Sequence, residues 1–327
     1  MIPKKRKQKK RNKILDYMAY LGLRGFAMFV HMLPQWMVYK FAASVADFYF
    51  NLGAALGGKI KFARKHRHRT MEHLRLSFPD YSEEKLTQIA RDSVRNMVYL
   101  SVEVILTTRL ITPERLPKYA RLVNMSEMLR LLLENKTGII SLTGHFGNWE
   151  VAGYTTAALG FPNTAIARSL DNPHLNEFML GTRQNTGMQI LDKRGAASVV
   201  PGLLADKQCV GFIADQDAGR KGLFVDFFGR KASTYKSIGL LAMQFNTPVV
   251  IGYSKRVGDR FFFEIGIEKI IHPQDWQDQD DPLRYITQEY TSAIESMVRK
   301  APEQYLWTHR RWKHRPKGEP PAVDGIA

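Results

Sequence analysis

The stretch Gly138–Val151, GIISLTGHFGNWEV, decides how the rest of the chain is read. Gly138–Thr143 is a short apolar run with β-branched residues, the composition of a strand buried on both faces. His145 stands at its carboxyl end, Gly147 and Asn148 break the chain, and a helix follows with Glu150 in its first turn. In open α/β sheets ligands bind in the crevice beyond the carboxyl ends of the strands, where this turn falls. A histidine and a carboxylate five residues apart across such a turn can converge. The carboxylate then holds one ring nitrogen and leaves the other to take a proton. No Gly-x-Ser-x-Gly accompanies the pair, so the nucleophile is expected on the substrate, and the reaction is a transfer rather than a hydrolysis. A first-turn glutamate is also favoured by the helix dipole alone, and a strand-end histidine is often structural, so spacing leaves both readings open. His-Glu-x-x-His is absent and no cysteine lies nearby, which argues against a metal.

Outward from this turn, short apolar runs alternate with helical stretches. Strands are predicted at 138–143, 164–168, 188–191, 210–214, 223–228, 248–254 and 261–271. Helices are predicted at 81–108, 126–135, 148–159, 172–186, 196–205, 234–245 and 281–300. The alternation predicts an α/β fold with a mixed, mostly parallel sheet flanked by helices. The last two strands lie close enough, across Val257–Arg260, to form an antiparallel hairpin.

The chain has 327 residues and a formal net charge of +17, concentrated in three places. Residues 1–13 hold eight Lys/Arg and no acid, residues 59–75 hold seven against Glu72, and residues 307–317 hold five. These segments outweigh the whole net charge, leaving the body slightly acidic. Such patches suit a polyanion, an anionic membrane surface or an acidic protein. Two of them bracket the apolar region Ile14–Gly58. Asp16, Arg24, Lys40 and Asp47 interrupt that region, so it is not a clean transmembrane span. The interruptions recur at helical spacing: Asp16, Tyr20, Arg24, Ala27 and His31, then Lys40, Ser44, Asp47 and Asn51. Each segment therefore reads as a helix with a narrow polar stripe and a wide apolar face, the second opened by Pro34. Flanking basic residues and Trp36, Tyr39 and Tyr49 suit the headgroup boundary, which makes membrane association the expectation. A helical hairpin packed on a soluble core and a single tilted span are the alternatives. The basic amino terminus is expected on the cytoplasmic side, and the lone Cys209 fits a reducing compartment. The expected divisions are a basic extension (1–13), membrane-associating helices (14–58), a catalytic domain (59–317) and a tail (318–327).

Thr143–Glu150, TGHFGNWE, resembles the His-x-x-x-x-Asp/Glu block of membrane glycerolipid and lipid A acyltransferases, and its wording resembles the late (secondary) lipid A branch. Other blocks follow in the order of that family. They are ARSLDNP at 167–173, Arg183 with Gly187, ADQDAG at 214–219, VDFFGR at 225–230 with Ala232 and Thr234, and WTHRRWK at 307–313. Arg75–Pro79, RLSFP, resembles its basic entry segment, with the departure that His73 precedes Leu74 where the family has asparagine. The resemblance implies acyl transfer from an acyl thioester to a hydroxyl of a phosphorylated glycolipid, a lipid A precursor. It implies His145 as general base and Glu150 as the group that orients it. Arg168 is then the candidate for the oxyanion or a substrate phosphate, with backbone N–H groups near Gly147 sharing the task. Asn148, Arg183, Asp215, Gln216, Arg310 and Arg311 are the substrate-binding candidates. Acyl carrier protein is acidic and suits the basic surface as donor, with acyl-CoA as the other choice; no cofactor and no metal are expected. The expected place is the inner membrane, catalytic domain towards the cytoplasm. An acyltransferase for glycerophospholipids or phosphatidylinositol mannosides is the near alternative. A basic nucleic-acid-binding protein, suggested by WTHRRWKHRP, is the distant one, and it leaves Ile14–Gly58 unexplained.

Overall fold

The computed structural model describes residues 12–55, 61–184 and 187–319. Most of the basic extension and of the tail lies outside the described residues.

Two helices come first, α1 (Lys13–Met32) and α2 (Gln35–Ala55), separated at Pro34. The basic helix α3 (Lys61–Ser77) and the long α4 (Glu83–Leu110) follow. Ser82 caps α4 by accepting from the Lys85 N–H, and Glu83 and Glu84 complement the dipole of its first turn. Then come α5 (Leu116–Tyr119), β1 (Ala120–Val123), α6 (Ser126–Glu134), β2 (Ile139–Thr143), α7 (Trp149–Ala158) and β3 (Asn163–Ala167). The order continues with α8 (Pro173–Gln184), β4 (Gln189–Asp192), α9 (Ala196–Ala205), β5 (Cys209–Ile213), β6 (Leu223–Phe227) and β7 (Arg230–Thr234). Last are α10 (Lys236–Phe245), β8 (Val249–Arg256), β9 (Phe263–Ile271), α11 (Pro273–Gln277) and α12 (Pro282–Lys300).

Seven strands form one sheet in the order β1-β9-β8-β2-β5-β3-β4. β2 pairs in parallel with β8 and β5, and β5, β3 and β4 continue in parallel. β9 runs antiparallel to β8, as the short connection requires, and β1 is parallel to β9. The expected mixed, mostly parallel sheet is thus the observed one. β2 lies at its centre because Ile139, Ile140 and Leu142 are buried against helices on both faces. Each such side chain contributes about 1.5–3 kcal/mol relative to exposure. Two short strands escaped the sequence reading. β1 has the pattern of a loop edge, and β7 (RKAST) is polar because it pairs only with β6. β6 leaves the main sheet to make this separate antiparallel ribbon.

The first two helices leave many large apolar side chains outward. Asp47 of α2 turns inward and accepts from both ends of the Arg95 guanidinium at 2.6 and 2.8 Å, while Lys40, Ser44 and Asn51 of the same stripe stay exposed. Tyr39 and Ala42 pack on α4 with Tyr99 and Leu106. Outward go Ile14, Met18, Met28 and Met32 of α1 and Trp36, Phe41 and Phe48 of α2, with Met32 80% exposed. Among the described residues no helix is long and apolar enough to cross a membrane.

Candidate active site

The turn after β2 is built around two glycines. A side chain at Gly144 would meet Ile294 Cγ2 at 3.0 Å and the Asp215 carboxyl carbon at 3.5 Å, so glycine lets that carboxylate come close. Gly147 has φ +58°, and a Cβ there would lie 2.0 Å from the Ser254 carbonyl oxygen. Only glycine fits. The segment after α12 straps the turn down. The Gly147 N–H donates to the Gln304 carbonyl at 2.9 Å, and Leu306 N–H donates to the His145 carbonyl at 3.0 Å. The Asn148 N–H is likewise taken, by the Ser254 carbonyl at 2.8 Å. The amides of Gly147 and Asn148 are therefore spent on structure, and neither is left for an oxyanion.

His145 and Asp215 form the dyad at the carboxyl ends of the neighbouring strands β2 and β5. The ring Nδ1–H donates to Asp215 Oδ1 at 2.7 Å, and the His145 main-chain N–H donates to Oδ2 at 2.9 Å. Burial alone would raise the Asp215 carboxyl, but the charge and hydrogen bonds of His145 outweigh it and hold the group well below the usual carboxylate range. An ionised Asp215 fixes the tautomer with the proton on Nδ1, which leaves Nε2 basic. The Gln216 amide lies 3.4 Å from that Nε2. Trp149 and His309 stand edge-on to the imidazole, with ring centroids 5.0 and 4.4 Å away. His309 is pushed down to about 4, by burial first and then by His145, so it is neutral beside the dyad.

Glu150 does not hold the imidazole. Both its oxygens accept from Arg183, Nε at 2.8 Å and the terminal nitrogen at 2.6 Å, across α7 and α8. The chain turns into α7 directly after His145, which swings Glu150 towards α8 while Asp215 arrives from β5. Asn148, a substrate-binding candidate by its position in the motif, is buried as the cap of α7. Its side-chain oxygen accepts from the Glu150 and Val151 N–H groups, and its Nδ2 donates to Glu103 Oε2 at 2.8 Å. Arg168 is 67% exposed, two strands along the same sheet edge, and pairs weakly with Asp171 at 3.4 Å. It follows β3, which lies next to β5 and two places from β2 in the sheet.

The basic tail splits. Arg311 is fully buried, donating to the Ser233 carbonyl and to Thr234 Oγ1, each at 2.6 Å. Trp307 and Trp312 are buried as well, so these three hold the fold rather than face a headgroup. Arg310 is half-buried. The family-like departure His73 has a role here: its Nδ1 bonds the Trp307 carbonyl at 2.9 Å, and Arg69 donates to the Thr308 carbonyl at 3.0 Å. Together they carry His309 to the dyad.

Two participants were not singled out from sequence. His309 hid in a run of basic residues. Glu103, flanked by Val102 and Val104 in the apolar half of α4, carried the signal of an acid on a buried face. It accepts from Tyr39 Oη at 2.8 Å and pairs with Arg256 Nε at 2.7 Å. His145, Asp215 and His309 also bring metal-binding atom types within 4.8 Å of one another. Both Asp215 oxygens are engaged by His145, and His309 meets the pair through a ring contact with the imidazole.

Among the described residues, an imidazole held by a buried carboxylate stands at the mouth of the sheet, and no serine, threonine or cysteine side chain is hydrogen-bonded to it. Residues 5–314 match the model of the bacterial lipid A biosynthesis acyltransferases. The chain belongs to that family. It is an O-acyltransferase by that membership. The chain is 25% identical over 309 residues to the lipid A biosynthesis lauroyltransferase of Escherichia coli K12, covering 93% of this chain and 94% of the relative. It is 26% identical to the palmitoleoyltransferase of the same organism, over 82% of this chain and 86% of the relative. A lipid A biosynthesis acyltransferase of Haemophilus influenzae is 27% identical over 77% and 78%.

Proposed function

We propose that this acyltransferase moves a fatty acyl chain from an acyl thioester, carried by acyl carrier protein, to a hydroxyl of a lipid A precursor at a membrane surface. The observation that carries the chemistry is the His145–Asp215 bond, which leaves Nε2 as the free base. Nε2 takes the proton of the acceptor hydroxyl as its oxygen attacks the thioester carbonyl. The resulting oxyanion needs donors, and with the Gly147 and Asn148 amides engaged, the Gln216 side-chain amide is the nearest to Nε2. Collapse of the intermediate breaks the carbon–sulfur bond, and the imidazolium returns its proton to the leaving thiolate. Asp215 stabilises the imidazolium throughout. Glu150 acts at one remove: it fixes Arg183 at the rim of the site, where the guanidinium can meet an anionic part of a substrate. The outward apolar faces of α1 and α2, with the basic helix α3 after them, support attachment to an anionic bilayer without a span.

The test is acyl transfer by purified protein, with labelled acyl-carrier protein or acyl-CoA and a lipid A precursor, read by mass spectrometry. H145A and D215N should each lower kcat by about 10²–10⁴-fold while leaving the fold unchanged. E150Q should act chiefly on KM. Near-normal turnover in folded H145A protein would defeat the mechanism, and a glycerophospholipid accepted in preference to the lipid A precursor would replace the acceptor.

A further inference from the structure

The polar stripe of α1 has a use that the dyad does not absorb. Tyr20, Arg24 and His31 face a crevice of about 720 Å³ between α1, α4 and α8, with Arg109 of α4 and His174 and Glu177 of α8 on the other walls. An adjoining crevice of about 550 Å³ shares Arg109 and adds Arg115 and Lys118. We propose that this paired crevice binds the phosphate of a lipid headgroup.

The cations are available. Arg75, Arg95, Arg183 and Arg256 each pair with a carboxylate. Arg24, by contrast, donates only to the Tyr20 hydroxyl at 2.9 Å, and Arg109 only to the His31 carbonyl at 3.0 Å. Neither has a carboxylate partner among the described residues, and Glu177, the one acid in the lining, forms no ion pair there. His31 adds a buried Nδ1 with no hydrogen-bond partner. Burial first, and Arg109 second, lower the pKa of this ring, so it offers an N–H without adding charge. Two guanidiniums and an imidazole donor around a crevice match a phosphate, whose oxygens take charge-assisted bonds from several sides.

The surroundings select a lipid over a soluble phosphate. Met28, Phe29 and Met32 of α1 are exposed on the same turns that carry His31 and follow Arg24. A ligand with an anionic head and apolar chains satisfies both at once. The crevice is also near the chemistry: Thr182 lines it, and the next residue, Arg183, holds Glu150. Which lipid occupies it rests on the acyltransferase reading, whereas the binding itself does not.

The experiment is flotation of the full chain with three kinds of vesicle built on the phosphate-free galactolipid digalactosyldiacylglycerol. One carries phosphatidylglycerol, one a bisphosphorylated acylated glucosamine disaccharide, and one the same disaccharide lipid without phosphates. R24Q/R109Q is compared with R130Q/K136Q, an equal change of charge on exposed side chains in α6 and just beyond it. R24Q/R109Q should weaken binding to phosphate-bearing vesicles about tenfold more than the control does, and leave binding to the dephosphorylated lipid unchanged. A loss confined to the disaccharide makes the crevice an acceptor subsite, and a loss on both phosphate-bearing vesicles makes it a general lipid-phosphate site; either upholds it. Equal losses in the two double variants, or an equal loss on the dephosphorylated lipid, overturn it. No turnover is read, so a failure of the acyl-transfer reading would leave this result standing.

Discussion

At the scale of single residues, the site turns on which carboxylate reaches the imidazole. Sequence spacing offered Glu150 and the structure supplies Asp215, so the two should separate in kinetics, D215N falling mainly in kcat and E150Q mainly in KM. His309 gives a second prediction. Its folded pKa is lowered from 6.5 to about 4, so the unfolded chain binds the proton more readily between those values. Stability present above pH 6.5 is therefore lost as pH falls through that window, by roughly 3 kcal/mol at most from this group. Thermal melts against pH should show that slope in the native chain and a shallower one in H309Q. An unchanged slope would mean that another group titrates there. Sequence could not assign these roles, because a ring's partner depends on where two loops meet. Asp215 lies seventy positions beyond His145, just past the end of another strand.

At the scale of elements, the turn after β2 is a close approach of backbones. G147A places a Cβ 2.0 Å from the Ser254 carbonyl at a positive φ, so it should either unfold the turn or cost more than about 3 kcal/mol, seen in the melting temperature. A native-like melt would show that the strand and turn can separate freely. The α1–α2 pair makes a different prediction. M28E/M32E removes two exposed apolar side chains, each worth about 1.5–3 kcal/mol when buried in lipid. Vesicle binding should fall by at least a hundredfold with the melt unaltered, and binding as tight as the native chain's would remove these helices from the membrane contact. The helices and strands themselves were mostly legible, since period and punctuation are local. The ribbon of β6 and β7 was not, because leaving the sheet is a matter of what else covers its edge.

At the scale of the molecule, one buried network joins the amino-terminal helices to the turn after β2. Tyr39 of α2, Glu103 of α4, Arg256 of β8 and the Asn148 cap of α7 meet at a carboxylate that is 1% exposed. In E103Q the new amide sets a donor against Asn148 or Arg256 and leaves a buried guanidinium uncompensated. The expected loss is about 3–5 kcal/mol by denaturant titration, together with reduced turnover from a loosened α7. A loss below about 1 kcal/mol would show that the network is not a joint between the two layers.

The amino-acid order by itself determined the alternation of strands and helices, the position of His145 at a strand end, the amphipathic character of α1 and α2 and the family. All of these follow from local period, turn residues and block order. Only the tertiary structure decided that Asp215 rather than Glu150 holds the ring, that Arg311 is a buried brace, that His309 stands edge-on to the imidazole, and that Asp47 of α2 turns inward to Arg95. Those outcomes depend on desolvation and on bonds between residues tens or hundreds of positions apart, and no periodicity along the chain encodes which buried charge will find which partner.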